Sequence, residues 1–401
     1  MLSRHDQMVL EVERESAFAD GATFGGSELR SRIWDVDLSG ADSELIADAA
    51  YQIAGGSPGA YEGLAKARAG GVSWKHYLEG LGSACTTGDP SETALSVLLE
   101  ILFQGASDAL AGSQINAAAT TTSVTVATAD SKEATAAIGL GSFQLPSGRH
   151  EIRPFTESAD TLTMLMALSE APAEDAYAYG GLNYLWSIQP ASLLSAAMQF
   201  VGSGDEQHAK LAGAVLAGKI ASVDAGQVPV LECEAFAAEY SEPSETRVAA
   251  SNAYGAVMAG GNVAMSGYGD TDVSTYRAAS VEVDFRGAWE VVPNPNLANG
   301  TAGFVRAPEL PEAVIQIPLI DTPPAALAAA SFRAWARDNL NSSNDGQLVL
   351  SFGAAAGRQV GCYWSQCRLL EWSRVEAVGG LAYQQLRIGS VDGGQFYLVQ
   401  T

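Results

Sequence analysis

Through most of this chain apolar and polar residues alternate one for one, the period of a strand that buries one face. Ile33, Trp34, Val36 and Leu38 make a first short strand-like run, Leu182–Ile188, Leu193–Val201 and Val215–Val223 read as strands or short apolar segments, and Val228–Phe236 closes that region. Later come Ala279–Phe285, Ala313–Leu319, Leu348–Phe352, Gly361–Trp372 and Leu381–Ile388. Three stretches carry helical spacing instead. Val72–Leu81 does so weakly. Glu92–Gln104 does so clearly, with Leu95, Leu98, Leu99 and Leu102 in phase and Asp89-Pro90-Ser91 as its start signal. Ala325–Asp338, led by Pro323-Pro324 and bearing Leu327, Phe332 and Trp335, reads as an amphipathic helix covering a sheet.

Residues 117–181 differ in texture. Ser, Thr and aliphatic residues alternate there between Gly139, Gly141, Pro146, Gly148 and Pro172. This predicts a small all-β module with strands at Ser123–Ala127, Ile138–Leu145, His150–Pro154, Thr161–Leu168 and Ala176–Tyr179. Outside the module, two stretches echo each other. Met198–Gly202 is followed by Lys210, Gly213 and Lys219, while Leu350–Gly353 is followed by Arg358, Gly361 and Arg368. In both, a strand with an aromatic ends in glycine, a base stands three before a second glycine, and another base comes six or seven later. Each copy closes in an alternating strand, Val228–Phe236 or Leu381–Ile388. The echo predicts a duplicated β-domain. Residues 1–116 with 182–240 form one copy and residues 241–401 the other, with a linker at Ser241–Thr246 and the module of residues 117–181 inserted in the first.

Size and charge narrow the function. At ~150 residues per domain, 401 residues make two to three domains. A hydrophobic share of 47% argues against a disordered chain. Charged residues are only 17%, yet 46 Asp and Glu against 22 Lys and Arg leave a net charge of −24. That sign excludes a protein that wraps nucleic acid, whose affinity comes from Lys and Arg releasing counterions, but not one past which DNA must slide. Met1–Val12 lacks the apolar core of a signal peptide. Ala94–Leu102, broken by Glu100, falls short of the ~20 apolar residues of a membrane span. Cys85, Cys233, Cys362 and Cys367 are too few for a disulfide framework and read as small buried hydrophobes in a protein made in a reducing cytoplasm. Cys362 and Cys367, five apart, should fall on opposite faces of a regular strand.

Motifs that suggest chemistry dissolve on inspection. Gly213–Lys219 has the spacing of a phosphate-binding loop, but Ile220 stands where the Ser/Thr hydroxyl is needed, and a turn and strand follow instead of a helix. Gly55-Gly56-Ser57-Pro58-Gly59 spells a nucleophile elbow whose oxyanion donor would be Pro58, which has no N–H. Gly269-Asp270-Thr271-Asp272 lacks the later ligands of a calcium loop. Trp364 and Trp372, eight apart, share a face of a continuous strand and read as core or subunit packing. No residue set is assigned to catalysis, cofactor or metal.

Three features together suggest a family. Glu15-Ser16-Ala17-Phe18-Ala19-Asp20-Gly21 follows the first apolar residues, Gly213–Ala237 sets a conformationally demanding glycine before a strand, a turn and an alternating strand, and the Thr/Ser-rich module runs through Thr161–Leu165 and Ala171-Pro172. In these the chain resembles the major tail tube proteins of long-tailed, siphovirus-like bacteriophages. The resemblance implies a mainly β (α+β) fold of two β-sandwich or barrel domains, each with a packed helix, plus the inserted module. It also implies a structural virion protein without enzymatic activity, made in the host bacterial cytoplasm. Its sheets would join between subunits into trimeric (pseudo-hexameric) or hexameric rings stacked as a tube. Its partners would be the tape measure, terminator and distal tail proteins, with double-stranded DNA passing unbound. The acidity then reads as a low-affinity wall. Glu232, Glu234, Glu371 and Glu376, in the closing hairpins, are candidate lumen-facing acids. Gly21–Gly26 and Tyr254–Gly269 are expected to form only on ring closure, shielding edges until then. A β-rich decoration, baseplate or carbohydrate-binding adhesion protein is the second reading. A hydrolase is the third, with no His, Asp, Glu and Cys cluster behind it.

Overall fold

A computed structural model of the chain describes residues 8–19, 24, 29–38, 44–45, 65–66, 69–86, 90–117, 119–127, 138–187, 192–202, 209–221, 228–241, 261–266, 273–276, 280–285, 287–293, 301–318, 345–376, 382–391 and 394–401. The fold is mainly β, as the alternation requires. In the first half six antiparallel strands close on themselves. Leu29–Asp37 pairs with Met8–Arg14, which pairs with Ala196–Val201, and that strand with Ala209–Ile220. Ala209–Ile220 pairs with Val230–Ala237, which pairs with Ala69–Tyr77, and Ala69–Tyr77 returns to Leu29–Asp37. Ala209–Ile220 can serve two neighbours because it bends at Gly213, whose φ of +63° suits glycine, beside a register shift against Ala196–Val201.

The second half repeats this ladder. Gly261–Ser266, Gly346–Ala355, Arg358–Glu376, Ala382–Ser390, Glu312–Pro318 and Ser280–Asp284 are neighbours in that order. Matched by chain position, these are the same six strands in the same spatial order as in the first half. Among the described residues no pairing of Gly261–Ser266 with Ser280–Asp284 closes the second ring. The halves are joined where Lys219 and Ile220 pair with Asp284 and Val283, and the Phe285 N–H donates to the Gly218 carbonyl at 3.2 Å.

One core serves both halves. Trp74, Leu98, Phe103, Phe200, Leu231, Val283, Ile315, Leu350, Trp364, Leu386 and Phe396 belong to a single buried cluster. The helix Ala94–Phe103 lies within it, buried along its whole length. Its start differs from the expectation of a cap at Asp89-Pro90-Ser91. Thr93 is the N-cap, its hydroxyl accepting from the Ser96 N–H while the Ser96 hydroxyl accepts from the Thr93 N–H. The expected helical run at Val72–Leu81 is instead the strand Ala69–Tyr77 and its continuation. Val72, Trp74, His76 and Leu78 are buried and the residues between them are not, so period two outweighs the weak helical spacing. The expected helix Ala325–Asp338 lies outside the described residues, as do Gly55–Gly59 and Gly269–Asp272.

Residues 113–179 form a second closed barrel. Ser113–Gln114, Tyr177–Tyr179, Gly139–Gln144, His150–Ser158, Thr161–Met164 and Ser123–Thr125 pair in that order, and an Ile115–Val126 bridge closes the circle. All five strands expected in the module are present, with a sixth before its expected boundary. The barrel rests on the outer face of the second half's sheet, where Leu140, Ile152 and Met166 meet Val349, Tyr363, Tyr397 and Val399. The terminal strand Phe396–Gln400 lies against Arg358–Glu376 and Gly181–Leu185. Gln400 ties it to the helix start, accepting from Ser96 Oγ and donating to the Glu79 carbonyl, both at 2.9 Å.

All four cysteines are buried, and none is joined in a disulfide among the described residues. Cys362 and Cys367 share the main core, contrary to the expectation of opposite faces. A register shift between Trp364 and Cys367 adds one residue and flips the alternation, and a second between Leu369 and Glu371 flips it back. After two flips Trp364 and Trp372 face the same core, Trp372 partly buried.

Candidate functional site

The joint between the halves makes one continuous sheet of the strands Leu29–Asp37, Ala69–Tyr77, Val230–Ala237, Ala209–Ile220, Ser280–Asp284, Glu312–Pro318, Ala382–Ser390 and Arg358–Glu376. One face of it carries Trp74, Leu231, Ile220, Val283, Ala313 and Ile388 into the core. Strand alternation sends the intervening residues to the other face. There Lys75, Glu232, Lys219, Asp284 and Glu312 stand opposite one another across five successive strands. Beside them runs a second row of Glu282, Val314, Arg387 and Glu371.

The charges interlock along these rows. Lys75 Nζ lies 2.7 Å from Asp35 and 3.7 Å from Glu232, and Lys219 Nζ lies 3.3 Å from Glu232. Asp35, then Glu232, hold the Lys75 ammonium above its usual pKa against the desolvation that lowers it. Arg387 Nε lies 2.6 Å from Glu312, and its Nη1 is 3.8 Å from Glu371. Glu312 first, then Glu371, likewise raise the Arg387 guanidinium. In the same place in the ladder, then, the first half sets an acid between two bases and the second a base between two acids.

Of the candidate lumen acids, Glu232, Glu234 and Glu371 stand on this face, Glu232 between two lysines and Glu371 beside Arg387. Glu376 ends its strand opposite Ala382, and its side chain lies outside the described residues. The sequence reading missed the partners Lys75, Lys219, Asp284, Glu312 and Arg387. The signal was present for Glu312, one residue before the run Ala313–Leu319, but pairing across strands is needed to see the row. Glu15 and Gly213, noted separately in the sequence, meet in space. The Glu15 carboxylate accepts from the Gly213 N–H at 3.0 Å, Ser195 Oγ at 2.6 Å and the Ala19 N–H at 3.2 Å.

A second feature flanks the joint. The hairpin Trp289–Pro293 with Thr301–Arg306 leaves the second half and packs on the first. Trp289 Nε1 donates to the Leu216 carbonyl at 2.8 Å, and the Arg306 guanidinium lies 4.0 Å over Trp186 and 4.8 Å from Trp289 while donating to the Leu102 carbonyl. Burial lowers the Arg306 pKa to about 9. Val291, Val292 and Val305 of this hairpin are exposed. Among the described residues no group of three His, Cys, Asp or Glu side chains is placed to hold a metal ion, and no helix is long and apolar enough to cross a membrane. No protein-family model matches the chain, and no curated protein matches it in sequence.

The chemistry this face can perform is physical. Among the described residues it presents alternating charge with acids in excess, a surface that disfavours phosphate.

Proposed function

We propose that the protein is a structural subunit of a bacteriophage tail tube, polymerising as stacked rings into a hollow, acidic conduit for DNA in the virion. The observation that carries this reading is the polar sheet face running unbroken through two like halves, with the shared core and helix behind it. A wall of that construction buries its apolar side toward the body of the subunit and turns its acids toward whatever passes. Two like halves per chain make three chains sufficient for a ring of six similar units, since a head-to-tail contact repeated by rotation closes. The duplication with an inserted module, and the partition at residues 117–181 and 241, belong to this proposal.

Electron microscopy of the purified full chain tests it. Rings or filaments ~100 Å wide, from several ~100 to 150 residue domains around a circle, are expected. A chain that stays monomeric at high concentration and captures glycans instead would replace the tube by the adhesion reading.

A further inference from the structure

The outer faces of the two halves are covered by pieces that the halves exchange. The small barrel, carried by the first half, sits on the second through the apolar side chains of Leu140, Ile152 and Met166. The hairpin Trp289–Pro293 with Thr301–Arg306, carried by the second half, sits on the first. There Trp289 and Phe304 cover Val215, Ala217, Phe236 and Ala238.

The hairpin's seat differs in kind, because it buries a charge. Arg306 is 6% exposed, and its guanidinium lies over the rings of Trp186 and Trp289. Its Nη2 donates to the Leu102 carbonyl, while among the described residues Nε and Nη1 have no hydrogen-bond partner and no carboxylate pairs with the group. One carbonyl and two indole faces stand in for the water that five N–H donors hold in the open. A cation buried without its counter-ion works against the contact that buries it, and an apolar side chain of like size commonly strengthens such a contact.

The hairpin is also built to move as a unit. Its strands form a sheet of their own, hydrogen-bonded to neither ladder among the described residues. The Ala307 N–H donates to the Ala288 carbonyl at 3.0 Å, so the pair stays closed at its base without help from the first half. Just outside that base Gly287 has φ +123°, a backbone open to glycine. Two strands with no further neighbour are marginal in water, so the seat decides where this piece rests.

We propose that the hairpin is a strap that lifts from the first half while the rest of the fold stays closed, turning at Gly287 and uncovering the apolar face around Val215 and Phe236. Lifting returns the Arg306 guanidinium to water. The charge that weakens the closed seat therefore favours the open one. The strap does not depend on the tube reading, since it rests on one contact inside a single chain.

Hydrogen exchange on the full-length chain tests it. The cross-strand amides of the hairpin are expected to exchange at least tenfold faster than those of His150–Ser158 in the barrel. Arg306→Met, which keeps an unbranched side chain and removes the charge, should slow the hairpin at least tenfold and leave the barrel unchanged. Trp289→Phe, which loses the bond to the Leu216 carbonyl and keeps a ring beside Arg306, should speed exchange in the hairpin alone. Hairpin amides as protected as the barrel's would overturn the strap. So would an Arg306→Met hairpin that exchanges no more slowly, or a Trp289→Phe effect spread equally over Arg358–Glu376.

Discussion

The two halves of this molecule share a strand order and differ in what covers it, and the two echo glycines show how. Gly213 has φ +63°, and a Cβ there would also crowd Ala19 and Ala238 at 3.0 Å. Its N–H is held by Glu15 from a neighbouring strand end. Gly361, at the matching place in the sequence, has no such backbone. A Cβ there would meet Ile152 of the small barrel at 2.7 Å. The first glycine is required by a bend and the second by a docked neighbour, so the same letter in two copies of one ladder answers to different forces.

The hardest test of that comparison is whether the halves unfold together. Trp364 is fully buried in the second half, its Nε1 donating to the Pro311 carbonyl at 2.9 Å and its ring 4.6 Å from Phe396. Trp364→Ala is expected to cost ~4 kcal/mol from lost burial and the cavity left behind. Because one core spans both halves, denaturant unfolding followed in the first half should shift with it as a single transition. Two separated transitions would break the claim of a shared core.

A histidine gives the next effect and belongs to the first half alone. His76 is enclosed, its Nδ1–H donating to the Tyr77 carbonyl and its Nε2 accepting from Ser31 Oγ at 2.6 Å. Burial lowers its pKa to about 4. The unfolded chain therefore takes up the proton first as pH falls. Stability from this group is complete above pH ~6.5 and declines between there and pH ~4, by ~3 kcal/mol in all. Urea titrations across that range should show the slope, and His76→Gln should flatten it. An equal slope in the variant would remove His76 from the account.

Much of this architecture was legible in the sequence. Strand alternation located four strands of the first ladder, five of the second and all five expected strands of the small barrel, since a half-buried sheet leaves a period of two wherever one face is polar, but it missed Met8–Arg14 and Gly261–Ser266. Val72–Leu81 misled because glycines at Gly70 and Gly71 and a buried polar His76 blur that period. Cys362 and Cys367 misled because each bulge shifts the phase by one, which no local pattern announces. The charged rows were the least legible. Lys75, Glu232, Lys219, Asp284 and Glu312 span more than two hundred residues of chain, and only pairing sets them side by side.

The glycines sharpen the comparison at smaller cost. Gly213→Ala is expected to lose ~1–2 kcal/mol to the left-handed backbone, and Gly361→Ala ~1–3 kcal/mol to overpacking. The sum is less informative than the rescue. Trimming the neighbour, Ile152→Ala, should recover part of the loss at Gly361, because there the fault is a side-chain collision. No trimming of Phe18, 3.1 Å from the added Cβ, should recover Gly213, where the fault is in φ. Equal rescue at both sites would erase the distinction.

The smallest effect separates the charged rows. Glu232→Gln leaves Lys75 and Lys219 facing a neutral amide, while Arg387→Gln removes the cation between Glu312 and Glu371. Partly exposed pairs of this kind are each worth under ~1 kcal/mol. Arg387 should nonetheless matter more, for two reasons. Its partner Glu312 is only 13% exposed and 2.6 Å away, whereas Glu232 is 33% exposed and sits 3.3 and 3.7 Å from its lysines. And on a chain of net charge −24, losing a base adds to the repulsion while losing an acid relieves it. At low salt the arginine variant should be the less stable of the two. At ~1 M salt, where screening acts over ~3 Å, the gap should close, and a gap that persists would mean Arg387 acts by packing rather than by charge.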